Sequence, residues 1–340
     1  MKTVSFVAEK SFHGNAIFDN TQTKLKNGGF DKYYQLYEEF KKNGYKIATN
    51  DIHKPEDSEI ILYFDMPKLK LKLEDRNKSF LLAIESSIIR PENFDKSLHQ
   101  YFQNIFTWND DLVDNKKYIK MNYSFAFPTT IYKSPQRKKL CCLIVGNKSS
   151  KFSHELYSER KNLIRWFEKE QPEDFDLYGV GWNEYTFVGN RLIRGLNRLQ
   201  IFKKIGMYFW GETFVSYKGK IDSKTETLRN YRFSIAYENA HGDAGYITEK
   251  IFDIFVAGCV PVYLGARNIT DYIPPNCFID RRNFENHQDL YVFLKNMKDD
   301  VYTDYLNNIE KYLNSEQSYQ FSSQNFAKLI VGTCIGKKLK

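Results

Sequence analysis

Between Tyr231 and Leu264 the chain passes from an apolar stretch of strand length, Tyr231–Tyr237, into a polar loop carrying Gly242 and Gly245. It then enters a helix-like stretch opening at Thr248 and a second apolar run, Val260–Leu264. Two strands joined through a helix are read as parallel, because parallel pairing needs a crossover and the crossover is right-handed. Much of the chain repeats this alternation. Residues 3–8, Ile60–Phe64 and residues 80–84 read as strands, while Asp31–Lys42 carries Tyr34, Leu36, Tyr37 and Phe40 at roughly helical spacing and stops at Gly44. Residues 97–106 also read as a helix. From 128 to 139 the sequence turns polar and basic, punctuated by Pro128 and Pro135, and is taken as a linker. A second unit follows, with strands at 140–145, 175–180, Tyr231–Tyr237, Val260–Leu264 and 278–280. Its helices fall at 153–170, from 248, at 287–297 and at 302–313. A last helix at 318–330 is placed to pack back on the first unit.

At 340 residues the chain exceeds the roughly 250–300 at which one core stops growing, so two domains are expected. The expected organisation is 1–130, 131–317 and a C-terminal helix with a basic tail over 318–340. The fold class is α/β, two Rossmann-like domains facing a central cleft, with ligands at the carboxyl ends of the strands. Hydrophobic residues at 42% and charged residues at 27% exclude a disordered chain. The apolar run at 254–266 is broken by Gly258 and Pro261 and falls short of the ~20 residues of a membrane span. Lys2, Glu9 and Lys10 interrupt any signal segment, so a cytoplasmic location is expected. Five cysteines (Cys141, Cys142, Cys259, Cys277, Cys334) form no C-x-x-C pair, which fits a reducing compartment and speaks against zinc. The net charge of +8 suits an anionic ligand, and the basic runs at 68–72 and 337–340 leave peripheral contact with an anionic membrane open.

The segment from Tyr231 through Glu238 and Asn239 to Tyr246, Thr248, Glu249 and Lys250 concentrates the chemistry. A helix start presents free N–H groups and a positive dipole end to an anion, and Lys250 adds a full charge. The plainer reading is that Thr248 caps the helix and Glu249 complements its dipole. Strand alternation points Glu238 and Asn239 in opposite directions, so one of them is structural. On the 153–170 helix, Leu156, Arg160, Leu163 and Phe167 share a face, placing Arg160 on the apolar stripe and Arg165 among polar residues. A guanidinium there needs an anion, either an internal carboxylate or a phosphate. Glu85 ends an apolar strand, where it is either an ordinary strand-end carboxylate or a base facing the cleft.

Residues 231–265, preceded by Ser216-Tyr217-Lys218-Gly219-Lys220 and by Lys224, Leu228 and Tyr231, resemble the donor-binding signature of the α1,3/α1,4-fucosyltransferase family. The specific resemblance covers about residues 216–282, and the first 130 residues match poorly. It implies a GT-B fold, with 1–130 shaping the acceptor side and 131–317 binding GDP-fucose. It also implies inversion at the anomeric centre and transfer of L-fucose to an N-acetylglucosamine- or glucose-type glycan, as in bacterial soluble enzymes decorating surface polysaccharide or lipopolysaccharide. Under it Glu85 is the general base, although Ile84 and Ser86 depart from the usual neighbours. Arg160 and Lys250 stabilise the leaving diphosphate, with Arg165 as the fallback. Tyr246 stacks on guanine, Glu249 accepts ribose hydroxyls, and Asn239 or Glu238 contacts diphosphate or fucose. Thr248 joins the donor site, with Lys218 and Lys224 as secondary donor residues.

No cofactor or metal is required on this reading, and no nucleic acid partner. The rivals are a GT-B enzyme using another nucleotide sugar and a non-catalytic basic anion-binding protein. Gly146-Asn147-Lys148-Ser149 ends like a phosphate-binding loop but lacks its first glycine. Asp174-Phe175-Asp176 imitates a metal-binding DxD and is read as loop polarity. His13-Gly14-Asn15 is either an ordinary polar loop or a lining of the acceptor cleft.

Overall fold

The computed structural model describes residues 2–19, 30–134, 137–187 and 190–337. Pro135 of the expected linker and Lys338, Leu339 and Lys340 of the basic terminus lie outside the described residues. The strands are β1 (Lys2–Val7), β2 (Tyr45–Thr49), β3 (Ile60–Phe64), β4 (Ser79–Ala83), β5 (Asn104–Thr107), β6 (Tyr118–Lys120), β7 (Lys139–Ile144), β8 (Phe175–Tyr178), β9 (Tyr231–Tyr237), β10 (Val260–Leu264) and β11 (Ile279–Asp280). The helices are α1 (Asp31–Lys42), α2 (Tyr157–Glu170), α3 (Arg191–Gly195), α4 (Gln200–Trp210), α5 (Lys224–Leu228), α6 (Glu249–Val256), α7 (His287–Asn296), α8 (Asp299–Leu313), α9 (Glu316–Tyr319) and α10 (Ser323–Cys334).

Two parallel sheets result, in the orders β2-β1-β3-β4-β5-β6 and β11-β10-β9-β7-β8. Central strands such as β4 and β9 are buried almost throughout, which is why they read as continuous apolar runs rather than as alternating patterns. The same double burial misleads at 97–106, where the expected helix is absent. Leu98, Phe102, Ile105 and Phe106 imitate helical spacing, but Ile105 and Phe106 belong to β5, and only a short helical turn, His99–Tyr101, precedes it. Helix α2 also starts later than the expected residue 153. Residues before it run alongside the loop after β9, with Leu156 N bonded to Asn239 O at 3.0 Å, and the Glu155 carboxylate takes the Ser158 amide at 3.1 Å.

The chain crosses between the sheets twice, and the two crossings lie side by side. Phe125 N donates to Phe321 O at 2.8 Å, and Ser323 N donates to Phe125 O at 2.9 Å. Phe125 stacks against Phe252 of α6 at 4.7 Å and belongs to the second core, as does Ile131. Helix α10 returns to the first sheet: Phe326, Ala327, Ile330 and Val331 join the core of Val4, Phe6, Leu62 and Phe80, and Phe326 meets Tyr33 of α1 edge-on at 5.9 Å. The first domain is thus closed by the last helix of the chain. All five cysteines are free, four of them buried. Among the described residues no helix is long and apolar enough to cross a membrane.

Phe326→Ala should therefore weaken the first domain from a distance of some 200 residues in sequence, by about 3–5 kcal/mol for a buried Phe. Hydrogen exchange should quicken in β1, β3 and β4 and stay slow in β9 and β10. Equal acceleration in both sheets would contradict this assignment.

Candidate functional site

The carboxyl ends of both sheets face one cleft, and a cavity of about 280 Å³ sits there. From the first domain Glu85 and Tyr123 line it; from the second come Gly146, Lys148, Arg160, Lys224, Asn239 and the start of α6. Glu85 follows the last residues of β4 and is fixed through its backbone. Asp65, held at a left-handed φ of 57°, accepts from Ile84 N at 2.8 Å, Glu85 N at 3.0 Å and Asn93 Nδ2 at 2.7 Å. On the other side Trp108 Nε1 and Tyr123 OH both donate to Ile84 O, at 2.9 and 2.7 Å. Burial, then the like charges of Asp65 and Glu249, raise the Glu85 carboxyl above the ordinary range. Neither Asp65 nor Trp108 carries a sequence signal that marks it as part of the site. Asp65 is one carboxylate among many, and only its position after β3 hints at the cleft.

Across the cavity the cations gather. Arg160 reaches from α2 to the end of β9, where its Nη2 donates to Tyr237 O at 2.6 Å, Glu238 O at 2.7 Å and Asn239 Oδ1 at 3.2 Å. Its Nε is buried without a partner, and the residue borders the cavity. Arg165, the fallback, lies on the outer side of α2, bonded to Glu168 at 2.7 Å and to Thr213 O at 2.6 Å, and takes no part in the cavity.

Glu238, with no exposed surface, anchors the start of α6. Its carboxylate accepts from Thr248 N at 2.8 Å, Thr248 Oγ1 at 2.6 Å and Lys250 Nζ at 3.1 Å. Burial opposes the charge on Lys250, but Glu238 and Glu249 outweigh it and hold the ammonium well above the usual lysine range. Glu249 turns outward into the cavity. Although burial opposes it, Lys250 and Lys224 keep its carboxylate below the usual range, hence ionised. Lys224 borders the cavity while paired with Asp253 at 2.6 Å. Lys148, exposed after β7, adds a cation that the missing phosphate-loop glycine had made easy to dismiss.

Four expectations change. Glu238 is the structural member of the Glu238–Asn239 pair, because its carboxylate is consumed inside the protein. Thr248 borders the cavity and occupies the cap position of α6, yet its hydroxyl donates to Glu238 instead of capping a helix amide and accepts from Lys250 at 2.9 Å. The Tyr246 ring is 1% exposed and packs on Trp108 at 4.6 Å and Tyr123 at 6.2 Å, so it braces the domains together and offers no open face for stacking on a base, although the residue borders the cavity. Lys218 lies 3.5 Å from Asp176, beside Lys139 and Tyr231, the first residues of β7 and β9. That is the sheet end away from the cleft.

The DxD-like carboxylates face different partners. Asp176 meets Lys139 and Tyr231, and Asp174 meets Tyr291 OH at 2.8 Å and Lys295 at 2.7 Å. Among the described residues no cluster of His, Cys, Asp and Glu suits a metal. The His13–Asn15 loop is tied to β2, with Gly14 N on Asp51 at 2.9 Å and Asn15 N on Thr49 Oγ1 at 3.1 Å, and does not line the cavity. A second cavity of about 440 Å³ shares Ile89 and Lys148 with the first and is walled by Trp182, Tyr185 and Trp210.

Residues 188–335 match the family described as glycosyltransferase family 10 (fucosyltransferase), C-terminal region. An α-(1,4)-fucosyltransferase of Arabidopsis thaliana is 38% identical over 80 residues, 23% of this chain and 20% of that protein. The α-(1,3)-fucosyltransferase FucT of Helicobacter pylori is 28% identical over 114 residues, 32% of this chain and 23% of that protein. A 4-galactosyl-N-acetylglucosaminide 3-α-L-fucosyltransferase 9 of Mus musculus is 33% identical over 115 residues, 32% of this chain and 31% of its own length. The matched stretches thus span between a fifth and a third of these relatives. In fold, the chain is similar over 98% of its length to 91% of an α1,3-fucosyltransferase solved with GDP, with TM-score 0.58 and 13% identity. It is similar over 99% to all of HepE from Anabaena, solved with UDP and glucose, with TM-score 0.55 and 9% identity. The architecture is GT-B, and the similarity to the fucosyltransferase family lies in residues 188–335.

Proposed function

We propose that this chain is an inverting fucosyltransferase that moves L-fucose from GDP-fucose to a hydroxyl of an N-acetylglucosamine- or glucose-type glycan. The observation that carries the reading is the opposition of Glu85, on the first domain, to Lys148, Arg160, Lys224 and Lys250, on the second, across one cavity. Inversion by direct displacement needs this separation. The acceptor hydroxyl attacks the anomeric carbon from one side while Glu85 takes its proton. The bond from that carbon to the diphosphate oxygen breaks on the other side, and GDP leaves with the electron pair. A carboxyl raised by burial is a stronger base than an ordinary glutamate once deprotonated. Side-chain cations and the start of α6 meet the developing charge on the leaving group, in place of a metal. Glu249 is the acceptor for ribose hydroxyls, and Asn239, bonded to Arg160, faces diphosphate or fucose. The biological setting we favour is surface polysaccharide synthesis in bacterial cytoplasm.

Glu85→Gln keeps shape but cannot take the proton, so kcat should fall at least ~10²-fold, with GDP affinity within about threefold. In the wild type, kcat/KM should rise with pH as Glu85 deprotonates, with a midpoint above the ordinary glutamate value of 4.5 because burial and its acidic neighbours raise it. A near-normal kcat in Glu85→Gln sinks the base assignment.

On the donor side, Lys250→Ala and Arg160→Ala should weaken GDP binding and transfer by about 2–4 kcal/mol. Arg165→Ala should change either little, as measured by calorimetry and initial rates.

Turnover should survive exhaustive EDTA treatment, and calorimetry should rank GDP above UDP and CDP. A loss above ~90% that manganese restores would overturn metal independence. Preference for UDP would favour the other nucleotide-sugar reading.

A further inference from the structure

The excursion between β8 and α5 carries apolar surface on the side facing solvent. On α4, Ile201, Ile205, Tyr208 and Phe209 follow at i, i+4, i+7 and i+8, the spacing of one helix face. All four are exposed, from 42% at Ile205 to 84% at Tyr208. The usual polarity is inverted. The face turned to the protein holds Lys203, ion-paired with Glu184 at 2.8 Å, and Gly206, where a Cβ would lie 2.6 Å from the Tyr185 ring. Trp210 at the end of α4, beside Phe209 at 5.6 Å, extends the exposed patch, and Leu192 on α3 is exposed as well. From residue 190 to 211 the sequence contains Arg191, Arg194, Arg198, Lys203 and Lys204 and no carboxylate.

We propose that this face docks on an anionic lipid bilayer. Exposed Tyr, Phe and Trp beside arginines and lysines is the composition of an interfacial helix, whose rings enter the headgroup region while the cations meet lipid phosphates. Charge complementarity selects this occupant over a second copy of the chain. A two-fold contact would set Arg191, Arg194, Arg198 and Lys204 against their own copies, with no carboxylate between residues 190 and 211 to neutralise them. The placement also serves the cleft. Met207 and Trp210 of α4 wall the second cavity, so a bilayer on the outer face lies about one helix diameter, ~10 Å, from its mouth. On the glycosyl-transfer reading, an acceptor carried by a lipid would be presented there, whereas docking itself holds without that reading.

The test is co-sedimentation of the full chain with phosphatidylcholine vesicles, with and without about 30 mol% phosphatidylglycerol. Wild type should bind the anionic vesicles at least about tenfold more tightly, and the difference should shrink as salt is raised. The double variant Tyr208→Glu, Phe209→Glu should lose at least about tenfold in vesicle affinity, with GDP affinity within about twofold as the check that the cleft is intact. Arg194→Glu with Arg198→Glu provides a second variant that leaves the rings untouched and should show the same loss. Absence of wild-type binding to anionic vesicles, or binding that both variants retain, overturns the proposal. So does a wild-type dimer in solution that Tyr208→Glu, Phe209→Glu dissociates and vesicles do not compete away.

Discussion

The buried carboxylate of Glu238 is the contact on which the second domain's wall of the cavity depends. It has no exposure to water, and its oxygens are taken by the Thr248 amide, the Thr248 hydroxyl and the Lys250 ammonium. One side chain therefore does two jobs: it satisfies an orphan amide at the start of α6, and it pins a cation at the cavity wall. Removing one partner of such a pair leaves the other charge uncompensated, which typically costs about 3–5 kcal/mol. The packing admits little else. A Cβ at Gly265 would come within 2.5 Å of Glu238 Cγ and 2.6 Å of Tyr263 OH, so the turn after β10 is glycine for steric reasons. Arg160 then fastens the same strand end from α2 by bonding the carbonyls of Tyr237 and Glu238.

The strands were legible where burial on both faces coincided with short length and clear punctuation. Ile60–Phe64, Tyr231–Tyr237 and Val260–Leu264 were read with their observed bounds, and Asp31–Lys42 was read from its apolar stripe and the glycine just beyond it. The same double burial defeats the method at 97–106. An apolar strand and the residues that fold under it carry no alternation to distinguish them from a helix. The excursion with α3 and α4 was silent for a different reason. Its apolar residues face outward, so the assumption that periodicity marks the core does not hold there.

At the site, the sequence showed which residues follow strand ends, and it could not show which way they turn. Glu85, Arg160 and Lys250 meet at one cavity because each sits at, or packs against, the carboxyl end of a strand. Lys218 fails that rule, since its neighbours Lys139 and Tyr231 begin their strands. Tyr246 passes the rule and is nonetheless closed off by Trp108 and Tyr123, residues of the other domain whose approach no local pattern announces. Asp65 illustrates the converse. Its role is to receive the amides of Ile84 and Glu85, a backbone service that leaves no mark in side-chain spacing.

The cavity is lined from two domains, with Glu85 on one and Lys148, Arg160, Lys224 and Lys250 on the other, which raises the question of what keeps them in register. The contacts beside Tyr246 answer it. Asp110 of the first domain accepts from Lys120 at 2.6 Å within its own domain, and from Asn268 at 2.9 Å and Tyr272 OH at 2.7 Å across the boundary. Asn268 in turn receives the Gly245 amide at 2.8 Å. Gly245, at φ 80°, passes so close that a Cβ would lie 2.4 Å from Trp108 O. The loop that opens α6 is thus pressed against Trp108, which also holds the carbonyl of Ile84, one residue before Glu85. Glu85 and the cationic helix start are linked through a short run of packed and hydrogen-bonded groups, and a shift of one domain against the other must break that run before it changes the width of the cavity.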